Sequence, residues 1–504
     1  MDIATIVARA AARFPQRIAV DGPQGRQTFA ELADRVTRLG RGLRALGLRP
    51  GDRVLDLQTN QNTYVESDLA IRACGLVRVA LNHRLHPDDW TRIAADCDAR
   101  ALIYDARFAG QSETLRGAAE HVVSIGDGPG IPYEQLISRQ SARPLPPTSP
   151  EALCGLHYSS GTTGHPKGAQ RTHRNWIASL VNMSHDVLGG PPASSDVYLH
   201  AGPITHTSGL FVLPFLAAGA TQVILPAWDP ESFVDAVRQR GVTHAALVPT
   251  MVARLLALPG MSRQRLAGLK MLGYAGAPMP PEQMRNAHET LTPHLVQYYG
   301  LVEAIPPVTL LDPADHMRGF TTDPDLLTSA GRPALTVEIR VVDEAGHDLP
   351  VGQIGEIATR GGHVMPGYWN ADARRDLGKS ITDGWLCTGD LGRLDERGYL
   401  WLVDRKGEMI ISGGYNIYPR EIEDVVAEVP GVHEVAVLGV ADSDWGQRVV
   451  AYYTVRAGSK VTDGQILEHC AARLASYKKP KQLHRLDAFP LNSTGKIAKK
   501  LLKP

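Results

Sequence analysis

The sequence predicts an α/β protein: a large N-terminal domain of mixed and parallel sheets with helices, carrying a small β-rich subdomain, then a small, mobile α+β lid domain. Three observations lead there. Short runs rich in Val, Ile and Leu alternate with stretches of helical periodicity up to about Pro333, the order expected of parallel strands joined by helices. Beyond it, glycine turns break the chain into short alternating segments. About the last hundred residues mix strand-like and helical stretches again, after a charged segment that contains a glycine.

Taken in order, Phe29 to Leu48 places Leu32, Val36, Leu39, Leu43 and Leu46 three and four apart, the spacing of an amphipathic packing helix. Arg53 to Leu57, Ala101 to Tyr104, Gln222 to Leu225 and Ala245 to Val248 read as buried strands. Thr207 to Trp228 carries no charge over 22 residues, enough to be weighed as a membrane span. Pro214, Gly219 and Gln222 interrupt it, so a buried helix (SGLFVLPFLAAG) followed by a strand (TQVIL) is expected instead. The segments VEIRVVD, EAGHDLPVG and EIATRGG read as strands of the β-rich region. HEVAVLGV and VVAYYTV follow as strands and Asp463 to Ala475 as a helix. A boundary near Asp404 to Glu408 gives domains 1–404 and 405–504.

A chain of 504 residues exceeds what one core usually organises. Its 53 basic residues balance 53 acidic ones, leaving no field to draw nucleic acid or anionic membrane. Five cysteines, Cys74, Cys97, Cys154, Cys387 and Cys470, lie far apart without CxxC spacing, as in a reduced, cytoplasmic protein. The N-terminus lacks the charged-then-apolar order of a secretory signal.

The most informative stretch is YSSGTTGHPKG, Tyr158 to Gly168. Glycine backbone, hydroxyls and one lysine can wrap around phosphate oxygens. It is not a Walker loop, because Lys167 stands between Pro166 and Gly168. The string STGK at Ser493 to Lys496 fails too, with Ile497 after it.

YSSGTTGHPKG resembles the signature loop of the adenylate-forming superfamily, which includes acyl-CoA synthetases, peptide-synthetase adenylation domains and luciferases. Further stretches resemble that family in the same order along essentially the whole chain. The resemblance implies ATP contacts from Ser159, Ser160, Gly161, Thr162, Thr163, Gly164 and Lys167. QYYGLVEA resembles the family's aromatic-Gly-x-Thr-Glu element, which implies that Tyr299 and Gly300 meet the nucleotide and that Glu303, with Thr162, holds Mg²⁺. Val302 departs from the family's threonine and cannot hydrogen-bond a phosphate. GYAGAPMP resembles the adenine loop, with Gly276, Ala277 and Pro278; DGWLCTGDLGR resembles the ribose-binding stretch, with Asp390; Arg405 resembles a nucleotide-contacting arginine.

PLNSTGKIAKK resembles the family's closing motif, in which Lys496 would bridge the acid's carboxylate and the α-phosphate. Gly407 stands at the family's hinge, where aspartate or lysine is usual. Gly413 and Gly414 resemble the loop that admits the pantetheine arm of coenzyme A, whose phosphates could meet Arg84, Lys478 and Lys479. The acyl pocket implied comprises His206, Thr207, Phe211, Val248, Tyr274, Leu301, Val302 and Ala304, with His206 beside the carboxylate. With no arginine or lysine among them, an apolar fatty or aromatic monocarboxylic acid is expected.

The expected activity is an acid:CoA ligase that makes acyl-CoA, AMP and pyrophosphate through an acyl-adenylate. Its partners are the acid, ATP and CoA, with a homodimer left open. One rival is an enzyme that loads a carrier protein's phosphopantetheine. Another is a silent nucleotide-binding homologue, against which Lys167, Glu303, Asp390 and Lys496 argue; an oxidative luciferase is a third.

Overall fold

The computed structural model describes residues 1–159, 167–370, 381–405, 408–412, 415–442, 445–492 and 496–502, with backbone alone for Ser159, Arg405, Tyr415 and Asn416. The chain forms two compact units, Met1–Ile339 with Thr359–Leu386, and Arg340–Ala358 with Cys387–Pro504. The expected boundary at Asp404 to Glu408 lies inside the second unit.

Among the described residues, two sheets lie wholly within the first unit. One has nine strands, in the order Arg332–Pro333, Thr309–Leu311, Leu295–Tyr299, Met271–Tyr274, His244–Leu247, Val197–His200, Thr221–Ile224, Ile18–Gly22 and Gly25–Thr28. From Leu295–Tyr299 to Ile18–Gly22 the pairing is parallel. The other has seven, from Ile131–Pro132 through His121–Ile125, Ala101–Asp105, Arg53–Leu57, Val77–Ala80 and Leu153–Ser159 to Lys167–Thr172. Only the last pair is antiparallel. One core draws on both sheets and on the helices Ile3–Arg13, Phe29–Ala45 and Asn62–Ala73.

The helix Asn62–Ala73 is buried along its whole length. That obliges its charged residues to find partners. Asp68 meets Arg72 at 2.5 Å and Arg78 at 2.8 Å, and Arg78 meets Asp56 at 2.7 Å. Glu66 takes Arg35 at 2.6 Å and the Tyr133 hydroxyl at 2.9 Å.

The strands expected from Val/Ile/Leu runs form, each within a residue of its expected limits. The expected helix from Phe29 is capped by Thr28 and Glu31 and ends at Ala45, where Gly47 takes φ 93°. The uncharged stretch becomes a 3₁₀ turn Thr207–Phe211, a helix Val212–Ala218 and the strand Thr221–Ile224. Gly219 ends that helix at φ 72°, and a Cβ there would sit 2.3 Å from the Phe14 ring. Among the described residues no helix is long and apolar enough to cross a membrane. EAGHDLPVG is the exception to the strand reading: it is a turn, bridged only at Val342 and Asp348. The Asp343 carboxylate accepts from the Ala345 and His347 amides at 2.9 Å, and that local bonding displaces ladder pairing.

The second unit pairs Val432–Asp442 with Gly446–Val455, and the latter with Gln482–Arg485. Helices Pro419–Ala427 and Asp463–Arg473 share a core with it through Ile422, Val426, Ile466 and Cys470. All five cysteines are free thiols.

Four wholly buried histidines set an acid limit. Burial pushes His173, His200, His316 and His363 down to about 4, from an unfolded value of about 6.5. Between those values the unfolded chain binds protons that the native one refuses, so stability must fall as pH drops through that window. The urea midpoint should hold above about pH 7 and decline steadily from pH 6.5 to 4; a constant midpoint across that range would contradict the assignment.

Candidate active site

In the first unit, the strands Leu153–Ser159 and Lys167–Thr172 pair antiparallel until Ser159 faces Lys167. Ser160, Gly161, Thr162, Thr163 and Gly164 lie outside the described residues, so the structure fixes the loop only by its two ends. Gly168 is required at one end: a Cβ would come within 2.8 Å of the Tyr158 ring, whose hydroxyl donates to Asp96 at 2.5 Å. The Lys167 ammonium lies 5.5 Å from the centre of the Tyr368 ring.

Glu303 sits on a turn after the strand Leu295–Tyr299. Gly300 closes that turn, since a Cβ there would be 2.7 Å from Pro306 Cγ and 2.9 Å from its Cα. The Leu301 amide donates to the Ala304 carbonyl at 3.2 Å. The Tyr368 hydroxyl donates to Glu303 Oε1 at 2.6 Å. From behind, Arg171 Nη2 donates to the Val302 carbonyl at 3.1 Å. The Arg171 guanidinium is buried and lies 5.3 Å from the Trp176 ring centre, with Arg72 at 4.2 Å from the same ring. Burial above all, and then the Arg72 charge, pulls Arg171 down to about 9, while Glu303 opposes the shift. Sequence reasoning found no cation beside this turn; Arg171 stands there, yet it is committed to a backbone carbonyl.

Residues 362–370 join the turn to the loop strand. The Met365 amide donates to the Glu303 carbonyl at 2.9 Å and the Ile305 amide to the His363 carbonyl at 3.0 Å. Further on, the Gln170 amide donates to the Gly367 carbonyl at 2.9 Å and the Trp369 amide to the Gly168 carbonyl at 2.8 Å. Asn175 Nδ2 donates to the carbonyls of Gly362 and Val364. Sequence reasoning missed Tyr368, Arg171, Trp176 and Asn175. A signal was present: MPGYWN places two aromatics after a Pro-Gly turn, and Thr172 with Asn175 makes a capping box.

The loop expected to meet adenine leaves the carboxyl end of the parallel strand Met271–Tyr274, the usual ligand edge of such a sheet. Gly276 takes φ 89°, and Gly276, Ala277 and Pro278 are exposed; Val248 Cγ1 lies 3.6 Å from where a Gly276 Cβ would stand. Tyr299 is half-buried at its strand end. His206 is exposed, with Nε2 3.1 Å from Asn82 Nδ2, and Thr207 opens the 3₁₀ turn beside it. Phe211 is wholly buried and stacks on Tyr198 at 4.4 Å. Leu301 and Val302 are partly buried against the same core, which includes Ala304. Tyr274 is a correction: it packs in the other core, its hydroxyl 2.8 Å from His316 Nε2. Strand side chains alternate, so with Ala275 toward the Phe211 side Tyr274 must turn away from it. Arg84 is exposed.

In the second unit, Asp390 pairs in register with Arg405 across antiparallel strands, which brings two expected nucleotide residues together. Asp390 is buried, and the Gly389 amide before it donates to Glu356 Oε1 at 3.1 Å. Lys496 is exposed beside the Leu491–Ile497 bridge, its amide donating to Asn492 Oδ1 at 3.0 Å. The Lys478 ammonium is 2.7 Å from both Glu421 oxygens. Gly407, Gly413 and Gly414 lie outside the described residues.

Among the described residues no group of three or more metal-ligating side chains gathers. Glu303 offers a single hard carboxylate, and among the described residues its second oxygen takes no hydrogen bond. One such ligand suits a magnesium ion that takes its other oxygens from phosphates and water, not a closed protein cage.

Comparison with known proteins identifies the family. Residues 7–369 match the family model of the AMP-binding enzyme, and residues 421–496 that of the AMP-binding enzyme C-terminal domain. An indoleacetate–CoA ligase of Aromatoleum aromaticum is 35% identical over 99% of this chain and 97% of its own length. A feruloyl-CoA synthase of an Amycolatopsis species is 37% identical over 94% of this chain and 92% of its own. The amide bond synthetase McbA of Marinactinospora thermotolerans superposes with a TM-score of 0.90 at 28% identity, over 99% of both chains.

The Gly300 geometry makes a test. Gly300→Ala must open the turn and shift Glu303 by a substantial fraction of an ångström, which should slow acid-dependent pyrophosphate release by about a hundredfold while AMP binding persists. An unimpaired variant in a steady-state assay would show that the turn does not set the carboxylate's place.

Proposed function

The chain belongs to the AMP-binding enzymes, and is an ATP-dependent, AMP-forming acid:CoA ligase that works through an acyl-adenylate; on that premise we propose that its acid is an apolar aromatic monocarboxylate and that Glu303 serves it through Mg²⁺. The observation that carries this is the turn itself. One short segment sets the apolar Leu301, Val302 and Ala304 against the core and the Glu303 carboxylate against the hydroxyl of Tyr368, whose ring lies by Lys167. Aryl relatives at 35% and 37% identity favour an aromatic acid over a fatty one.

In this reading Lys167 attracts the ATP phosphates and His206, oriented by Asn82, meets the acid's carboxylate. Magnesium, held by Glu303, would neutralise charge on the phosphates. A carboxylate oxygen attacks the α-phosphorus, the bond to the β-phosphate oxygen breaks and pyrophosphate leaves. Lys496 bridges the two anions as they meet, and its positive charge offsets repulsion that would otherwise keep them apart. Asp390 accepts from the ribose hydroxyls. The thiolate of CoA then attacks the acyl carbon and AMP departs, with Gly413 and Gly414 leaving room for the pantetheine arm. The reading puts the domain boundary at residue 405 and the turning point between the two half-reactions at Gly407.

Pyrophosphate release measured against indoleacetic, cinnamic, benzoic and fatty acids, with and without CoA, tests the substrate class. Aromatic acids should turn over and yield thioester with CoA. Activity confined to fatty acids would overturn the aromatic assignment, and pyrophosphate without thioester would favour a carrier-protein thiol. Lys496→Ala should lower adenylate formation at least about a hundredfold, yet spare thioester formation from a supplied acyl-adenylate. Equal loss in both halves would remove Lys496 from this role.

A further inference from the structure

Tyr368 is the one described side chain seen to touch both charged residues at the mouth of the loop. Its hydroxyl is 2.6 Å from Glu303 Oε1, and its ring centre is 5.5 Å from the Lys167 ammonium. Hydrogen bonds to a charged acceptor are the strong ones, and an ammonium within about 6 Å of an aromatic face is attracted to it. The tyrosine is also delivered by fixed backbone. It bridges Ala169, its carbonyl accepts from Gln170 Nε2 at 2.9 Å, and the next amide, Trp369, donates to Gly168. Trp369 in turn lies 5.3 Å beneath the Arg53 guanidinium, and Asn370 donates to Asp96 at 2.7 Å. Tyr368 is 9% exposed, so the hydroxyl has little freedom to leave Glu303.

We propose that Tyr368 is the positioning residue of the phosphate site: its hydroxyl fixes the rotamer of the Glu303 carboxylate and its ring face seats the Lys167 ammonium, so that one side chain places both charges that meet ATP. The inference takes the role of Glu303 from the reading above. It assigns Tyr368 no contact with the reacting atoms. Its effect passes through Glu303 for metal-bound ATP, and through Lys167 for the phosphates themselves. Two substitutions separate the parts. Tyr368→Phe keeps the ring under Lys167 and removes only the hydroxyl, whereas Tyr368→Leu removes both.

Calorimetric titration of the full chain with AMP, with ATP in EDTA and with ATP in magnesium gives the readout, with unfolding midpoints measured alongside. Tyr368→Phe should weaken magnesium–ATP binding about tenfold, a charged hydrogen bond's worth, and leave AMP and metal-free ATP within twofold. Tyr368→Leu should weaken metal-free ATP as well. In a Glu303→Ala background, Tyr368→Phe should add no further loss for magnesium–ATP, because its hydroxyl acts through that carboxylate. Equal weakening of AMP and magnesium–ATP by Tyr368→Phe, or the same tenfold loss with Glu303 already removed, would overturn the inference. If Glu303→Ala itself binds magnesium–ATP like the wild type, the reading of Glu303 fails; if that variant is impaired and Tyr368→Phe is not, only the inference about Tyr368 does.

Discussion

The first unit depends on a double hydrogen-bonded stitch made by residues 362–370. One end of this segment pairs with the Glu303 turn and the other with the strand that begins at Lys167. Those two regions belong to different sheets and lie more than a hundred residues apart in sequence. A cation and a carboxylate that meet one triphosphate, as proposed for Lys167 and Glu303, cannot be set by loop chemistry at either end alone. Backbone amides and carbonyls supply the spacing because they are short and have few alternatives, whereas lysine and glutamate side chains by themselves have many rotamers.

Beneath the stitch lies a buried polar layer. Asp56, Arg78, Asp68 and Arg72 form a continuous chain of ion pairs through the helix Asn62–Ala73, and Arg72 shares the Trp176 ring with Arg171, which holds the Val302 carbonyl. Burying so many charges is a poor way to gain stability, since desolvation offsets most of the attraction. What the layer supplies is position: guanidinium planes stacked on an indole admit few arrangements. The chain of contacts reaches from the centre of a sheet to the back of the turn that carries Glu303.

Much of this was legible in the sequence. The strands from Arg53, Ala101, Gln222 and Ala245 and the helix from Phe29 follow from local periodicity, which tertiary packing here reinforces. EAGHDLPVG misled because a polar alternating stretch looks like a strand until Asp343 is seen bonding the amides after it. Glu303, Asp390 and Lys496 carry recognisable strings. Tyr368 and Arg171 do not, because their value lies in long-range pairing that no local pattern encodes. Tyr274, expected in the acyl pocket, packs in the other core because neighbouring strand residues face opposite ways. Nor does any local pattern show that Glu421, far away in sequence, turns both carboxylate oxygens to the Lys478 ammonium. The hydroxyl that reaches the turn beside Val302 is that of Tyr368, donated to the Glu303 carboxylate.

The central claim is that the acid is activated at phosphorus before any thiol reacts, and oxygen tracing tests it most directly. An aromatic acid labelled with ¹⁸O in both carboxylate oxygens would be converted in the presence of ATP and CoA, and the AMP examined by mass spectrometry. The acyl-adenylate route predicts that each AMP carries one labelled oxygen, left on phosphorus when CoA takes the acyl group. AMP without label, or label in pyrophosphate or phosphate, would contradict it.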